Sequence, residues 1–246
     1  MINLKNYIIE SIFDIEDNID NVNESIKDQI NQFLNDNFKN ASNCIISEKP
    51  NKDGKFEVLS KGNIEVKNKL ITSLTNGLFI WTNIKGDFCN NWCVSLTSLE
   101  GAPEKVGGDF FCNWCVSLKS LEGAPKEVGG DFVCDYCTSL KSLEGAPKKV
   151  RGVFYCNDCT SLTSLEGAPK KVSGNFYCNY CTSLTSLEGA PKEVGENFSC
   201  RGCKSLTSLE GAPKVVGGNF YCSECDIVST TNDVEKVSKV RGKIYL

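Results

Sequence analysis

From Phe110 to Pro125 the chain reads FFCNWCVSLKSLEGAP, and it returns as FVCDYCTSLKSLEGAP, FYCNDCTSLTSLEGAP, FYCNYCTSLTSLEGAP and FSCRGCKSLTSLEGAP. Phe110, Phe132, Phe154, Phe176, Phe198 and Phe220 fall at intervals of 22 residues. Self-similarity at a short fixed period specifies a solenoid, in which each unit is one coil stacked on the next. Phe110 and Cys112 are two apart, the spacing of one strand face. Cys115, Leu118 and Leu121 follow at intervals of three, which suits a chain turning around an interior. Gly123, Pro125 and the pair Gly129-Gly130 mark the corners.

Each unit therefore reads as a short strand, a turn at the second cysteine, a leucine-lined return and a corner at Glu-Gly-Ala-Pro. A single coil cannot stand alone. Burying its Phe, Leu and Val side chains contributes about 1.5–3 kcal/mol each. Ordering its backbone costs about 1–2 kcal/mol per residue. Stacking closes the gap by adding sheet hydrogen bonds and covering both open ends of each coil.

The pattern Phe-x-Cys-x-x-Cys-x-x-Leu-x-x-Leu resembles the core of the leucine-rich repeat family. The short return and the proline corner are similar to the short bacterial and phage-type repeats. The resemblance covers about residues 62–246. It implies a mainly β, right-handed coil with a parallel β-sheet on one face, a binding surface on that face, and an asparagine at the turn position that Cys115 holds here. Phe stands where the family has Leu, which widens the core without altering the pattern.

The N-terminal part differs. Residues 1–63 carry 7 Lys against 11 Asp and Glu, whereas the remainder is balanced at 20 each, so the net charge of −4 sits at the N-terminus. A balanced repeat body argues against a nucleic-acid partner. No run of 18 apolar residues offers a membrane span, and acids within the first apolar stretch argue against a secretory signal. Fifteen cysteines in such a chain point to a reducing, cytoplasmic location.

Residues 2–16 and 22–38 have apolar side chains at helical spacing and predict two helices. Lys49-Pro50-Asn51-Lys52-Asp53-Gly54 predicts a turn. Residues 1–61 are thus expected to be a helical cap over the first coil, or a docking segment. Tyr7-Ile8-Ile9-Glu10-Ser11 is loosely similar to N-terminal peptides that direct proteins into tailed-phage capsids, which implies the alternative of a structural particle component.

Repeats begin near Ile64, where Ile64, Val66, Ile71 and Leu74 take the Phe, Cys, Leu and Leu positions. The stretch from Leu74 to Ile84 is longer than its counterparts and is expected to bulge, carrying Phe79 and Trp81. In the next coil Cys89 falls outward and Asn90 inward. After Cys225 the leucines give way to Ile227, Val228, Val234 and Val237. Counting from Ile64 to Ile244 gives nine strands in about eight coils.

Six Cys-x-x-Cys pairs, from Cys112/Cys115 to Cys222/Cys225, invite a zinc reading. The repeat register makes both members inward, where thiolates are costly to form. A disulfide within a pair is disfavoured because an extended Cys-x-x-Cys separates the Cα atoms by about 10 Å. Equivalent cysteines of neighbouring coils, about 5 Å apart, permit a bridge under oxidation. The favoured reading is two ladders of reduced thiols, with no metal and no cofactor; a metal-binding repeat is the third alternative.

The outward positions vary. One column holds Phe111, Val133, Tyr155, Tyr177, Ser199 and Tyr221; another holds Trp92, Trp114, Tyr136, Asp158, Tyr180, Gly202 and Glu224. The candidate binding face is Trp92, Phe111, Trp114, Tyr136, Tyr155, Tyr177, Tyr180 and Tyr221. Neighbouring aromatics can support a sheet, but a large exposed aromatic surface calls for a partner, a protein first and a glycan as the alternative. Glu100, Glu122, Glu144, Glu166, Glu188 and Glu210 form a further column. Paired-carboxylate catalysis needs two unlike environments; identical glutamates in identical turns do not supply them. The expectation is a non-enzymatic recognition protein.

Overall fold

A computed structural model describes residues 4–227 and 230–246, with side chains from Ile19 onward. The chain is a β-solenoid built on two parallel sheets. α1 (Leu4–Asn37) leads into β1 (Phe38–Lys39), β2 (Cys44–Ile46), β3 (Phe56–Ser60), β4 (Ile64–Val66) and β5 (Phe79–Ile84). One sheet then continues through strands such as Phe110–Phe111 and Phe132–Val133. Phe88, Phe110, Phe132 and Phe154 lie in register along it. The nine strands expected from Ile64 to Ile244 are present, and β1 adds a tenth by pairing antiparallel with β4.

The second sheet is also ten-stranded. It is made of two-residue strands such as Lys105–Val106, Glu127–Val128 and Lys149–Val150, preceded by β5, β3 and the antiparallel β2. Val106, Val128 and Val150 point inward and are buried, while Lys105, Glu127 and Lys149 point to solvent. Each coil therefore has two walls joined by the cysteine turn on one side and the Glu-Gly-Ala-Pro corner on the other.

The core follows the repeat. Phe88, Phe110, Phe132, Phe154, Phe176 and Phe198 are fully buried. Their rings lie face to face at centroid distances of 5.7, 5.3, 5.1, 5.2 and 5.7 Å. The paired leucines are buried beside them. Gly123 has φ +86°, and a Cβ there would lie 2.4 Å from the Glu100 nitrogen of the preceding coil. The corner thus requires glycine for its backbone angle and for the closeness of the stack.

Three features of the N-terminal part depart from expectation. The two helices are one of 34 residues, because no Gly or Pro interrupts the segment and Ile19 continues the 3,4 spacing. From Phe38 to Ser60 the chain forms the three strands β1, β2 and β3 instead of α-helix, so the solenoid begins before residue 62. Phe79 and Trp81 lie in the core within β5 instead of in the bulge. The irregularity falls just after them, where the pairing of β5 with β3 shifts register between Val58 and Ser60, and Phe33 and Phe38 cover the aromatic rings of β5 at 5.9 and 5.4 Å.

At the other end, a helix not foreseen, α2 (Thr231–Val237), replaces the leucine return. Asp233 starts it by accepting hydrogen bonds from the Thr230 N–H at 3.0 Å and the Thr230 hydroxyl at 2.8 Å. Val234 fills the core from this helix. Val228 lies outside the described residues.

Candidate binding face

Seven strands of the first sheet, from Phe88–Cys89 to Phe220–Tyr221, are each followed three residues later by a left-handed residue. Trp92, Trp114, Tyr136, Asp158, Tyr180 and Glu224 have φ between 56° and 63°, and Gly202 has φ 70°. This reversal turns the chain after Phe-x-Cys and sends the second cysteine back into the core. The column expected on the flat face of the sheet therefore lies at its rim. Left-handed geometry costs a non-glycine residue about 1–3 kcal/mol, so the large aromatic side chains here are not the fold's own preference.

Stacking offsets part of that cost. Trp92 and Trp114 lie 4.7 Å apart and 3° from parallel, and Trp114 and Tyr136 lie 4.0 Å apart and 7° from parallel. Trp92 remains 52% exposed. The column breaks at Asp158, whose charge raises the pKa of the Tyr136 phenol. Tyr180 resumes it, and its ring lies over Gly202, where a Cβ would sit 2.4 Å from the Tyr180 Cδ1. Glu224 ends it by pairing with Arg201.

The strand column is separate from the rim. Tyr155 and Tyr177 are 5.3 Å apart, and Tyr221 stacks on Tyr245 at 4.7 Å. Phe111 is half-buried; Val133 and Ser199, between the larger side chains of this column, are buried. The eight expected residues thus form two broken columns rather than one surface. Tyr245 completes the second and was not among them; the alignment of Ile244 with Phe220 gave the signal for it.

Between the columns runs a polar ladder that the sequence reading missed. The side-chain oxygens of Asn91, Asn113, Asp135, Asn157 and Asn179 each accept the backbone N–H of the equivalent residue one coil later, at 2.7–3.0 Å. Burial raises the pKa of Asp135, and the Asn157 N–H opposes that shift. Its signal was an Asn or Asp two positions before the second cysteine in five successive coils. A similar ladder precedes the strands, running from Asn63 through Asp87, Asp109 and Asp131 to the N–H of Val153.

Beneath this rim the thiols complete the backbone. Cys115, Cys137, Cys159, Cys181, Cys203 and Cys225 each donate to a carbonyl one coil back, at 3.1–3.2 Å. Cys134 donates forward to the Tyr155 carbonyl at 3.2 Å. Burial raises the pKa of Cys112, Cys134 and Cys156, and Cys137 is pushed up to about 12. Cys222 and Cys225, at the end of the ladder, are lowered by the neighbouring Cys200. All fifteen cysteines are free thiols. Among the described residues no group of three or more His, Cys, Asp or Glu is arranged to hold a metal ion.

Asn90 takes the inward position of the first cysteine, as expected; its side chain is fully buried and makes no hydrogen bond. The glutamate column is exposed, one residue per coil, in repeated turns. No described helix is long and apolar enough to cross a membrane. No family model matches the chain, and no curated protein or solved structure is found to be similar to it.

Proposed function

We propose that this chain is a non-enzymatic recognition protein that engages a protein partner through the aromatic rim and the adjoining strand column. The observation that carries this reading is the Trp92, Trp114 and Tyr136 stack. Three large side chains occupy left-handed positions, and the outermost stays half in solvent. The fold accepts glycine at the same position in another coil, at Gly202. Aromatic side chains here cost backbone energy that stacking offsets in part, and contact with a partner would add to that return.

The ring geometry favours protein over glycan. The faces of Trp114 are covered by its neighbours, so the column offers mainly ring edges. Edges carry the positive part of the aromatic quadrupole and suit carbonyl oxygens and other aromatic rings. A sugar stacking on a ring would need the faces. A shallow hollow beside Phe111, lined also by Asn63, Glu65, Asp87, Cys89 and Asn91, extends the surface.

We further propose that the repeat is related to the short leucine-rich repeats, on the support that Cys115 and its equivalents bond turn carbonyls from the position where that family has asparagine. The burial of both cysteine ladders as hydrogen-bonding members of the core, instead of as cross-linked pairs of a small secreted scaffold, is the support for a reducing, cytoplasmic setting. The test is capture of binding proteins on immobilised wild-type chain and on the double variant Trp114→Ala/Tyr136→Ala. The variant should lose the captured species while its far-UV spectrum and melting profile stay those of a folded solenoid. Undiminished capture by a folded variant would sink the proposal.

A further inference from the structure

α1 carries an apolar stripe that continues beyond its contact with the solenoid. Near its C-terminal end Ile30 and Leu34 are buried in the core, and Ile26 and Phe33 pack against it. One turn earlier the same stripe is in solvent: Val22 is 58% exposed and Ile19 54%. The helix continues back to Leu4. At 1.5 Å per residue its 34 residues span about 50 Å.

The sequence of this segment has the register of a coiled coil. Ile8, Ile12, Ile15, Ile19, Val22 and Ile26 are separated by four, three, four, three and four residues, the a and d positions of consecutive heptads. All six are β-branched. The g positions are Ser11, Asn18 and Ser25; the e positions are Ile9, Glu16 and Asn23. The other acids, Glu10, Asp14, Asp17, Asp20, Glu24 and Asp28, fall at b, c and f, away from the seam.

That charge pattern selects the occupant. The segment is strongly acidic, and most acidic helices would repel a copy of themselves. Here the flanks of the seam are almost neutral, so identical chains can meet without facing like charges. An anionic membrane surface is disfavoured by the acids on the remaining faces, since interfacial helices carry basic ones. β-branched residues at both a and d favour three strands over two, and three identical chains closed by a rotation axis must run parallel.

We propose that α1, over Ile8–Val22, forms a parallel three-stranded coiled coil with two further copies of this chain. The contact of Ile30 and Leu34 with the solenoid holds the last turns of the helix in place and nucleates the part that assembles. The assembly does not depend on what the aromatic rim binds.

The test is light-scattering mass measurement of the full chain during gel filtration, repeated from low to high micromolar loading. Three proteins are compared: wild type, Ile19→Glu/Val22→Glu, and Asp17→Asn/Asp20→Asn as a control on the other helix faces. Ile19 and Val22 are exposed in the single chain, so their replacement leaves the solenoid's melting transition unchanged. The expected masses are three chains for wild type and for the control, and one chain for Ile19→Glu/Val22→Glu. A wild-type chain that stays monomeric at every loading would overturn the proposal, as would an oligomer that the glutamates leave intact. A stable mass of two or four chains would overturn the three-stranded arrangement.

Discussion

At the second cysteine of each coil, a thiol does what a polar side chain would be expected to do. The left-handed turn leaves the carbonyl of a first cysteine such as Cys134 to be met by the S–H one coil later. Cys159, for example, donates to the Cys134 carbonyl at 3.2 Å. A thiol is small and apolar enough for a sealed interior and still a weak donor. Cys159→Ala removes the donor and leaves a buried carbonyl unsatisfied, at a cost of about 1–3 kcal/mol. Cys159→Ser keeps a donor and is expected to fall between alanine and wild type. Urea unfolding followed by circular dichroism measures the order; equal stabilities for alanine and wild type would show that the thiol bond contributes nothing.

The elements that begin the solenoid are where packing overrode repeat pattern. β1 closes the edge of the first sheet, and Phe38 makes contact with Trp81 at 5.4 Å and Phe88 at 6.2 Å. Removing such a ring from a core costs about 3–5 kcal/mol. Phe38→Ala is therefore expected to lower stability by that amount, whereas Ile45→Ala, at an exposed position of β2, is expected to change the melting temperature far less. Thermal unfolding of the two variants checks this, and equal losses would mean that the Phe38 ring is not part of the cap over the first coil. The Phe, Cys and Leu interior was legible because it repeats without change. The second sheet was not, because strands as short as Lys105–Val106 are too brief to show alternation. The left-handed rim was hidden by its variety, although Asp158 and Gly202 in the column of Trp114 are turn residues. The Asn91 to Asn179 ladder was visible as a column but reads as ordinary surface polarity until its oxygens are seen to bond the next coil.

Stacking coils makes the molecule's stability a sum of similar increments, and the same holds for its response to pH. In the folded chain burial raises the pKa of the Cys112, Cys134 and Cys156 thiols, and Cys137 is pushed up to about 12. In the unfolded chain a thiol ionises near pH 8.5. Below that pH both states hold the proton and these groups add no pH dependence. Above it the unfolded chain releases protons that the folded chain keeps, so stability falls, by about 1.4 kcal/mol per pH unit for each such thiol. Cys222 and Cys225, whose pKa values are lowered, act in the opposite sense, but they are two against the four raised thiols. Several thiols titrating together make the loss steep, and a domain stabilised by about 5–15 kcal/mol cannot absorb it over more than one or two pH units. The expected result is a melting temperature flat from pH 7 to about 8.5, followed by a sharp fall that ends in unfolding well below the ionisation of Cys137. Calorimetry across this range under reductant measures it. A melting temperature that stays level to pH 10.5 would mean that the buried thiols already meet water, and the ladder would then have to be open rather than sealed.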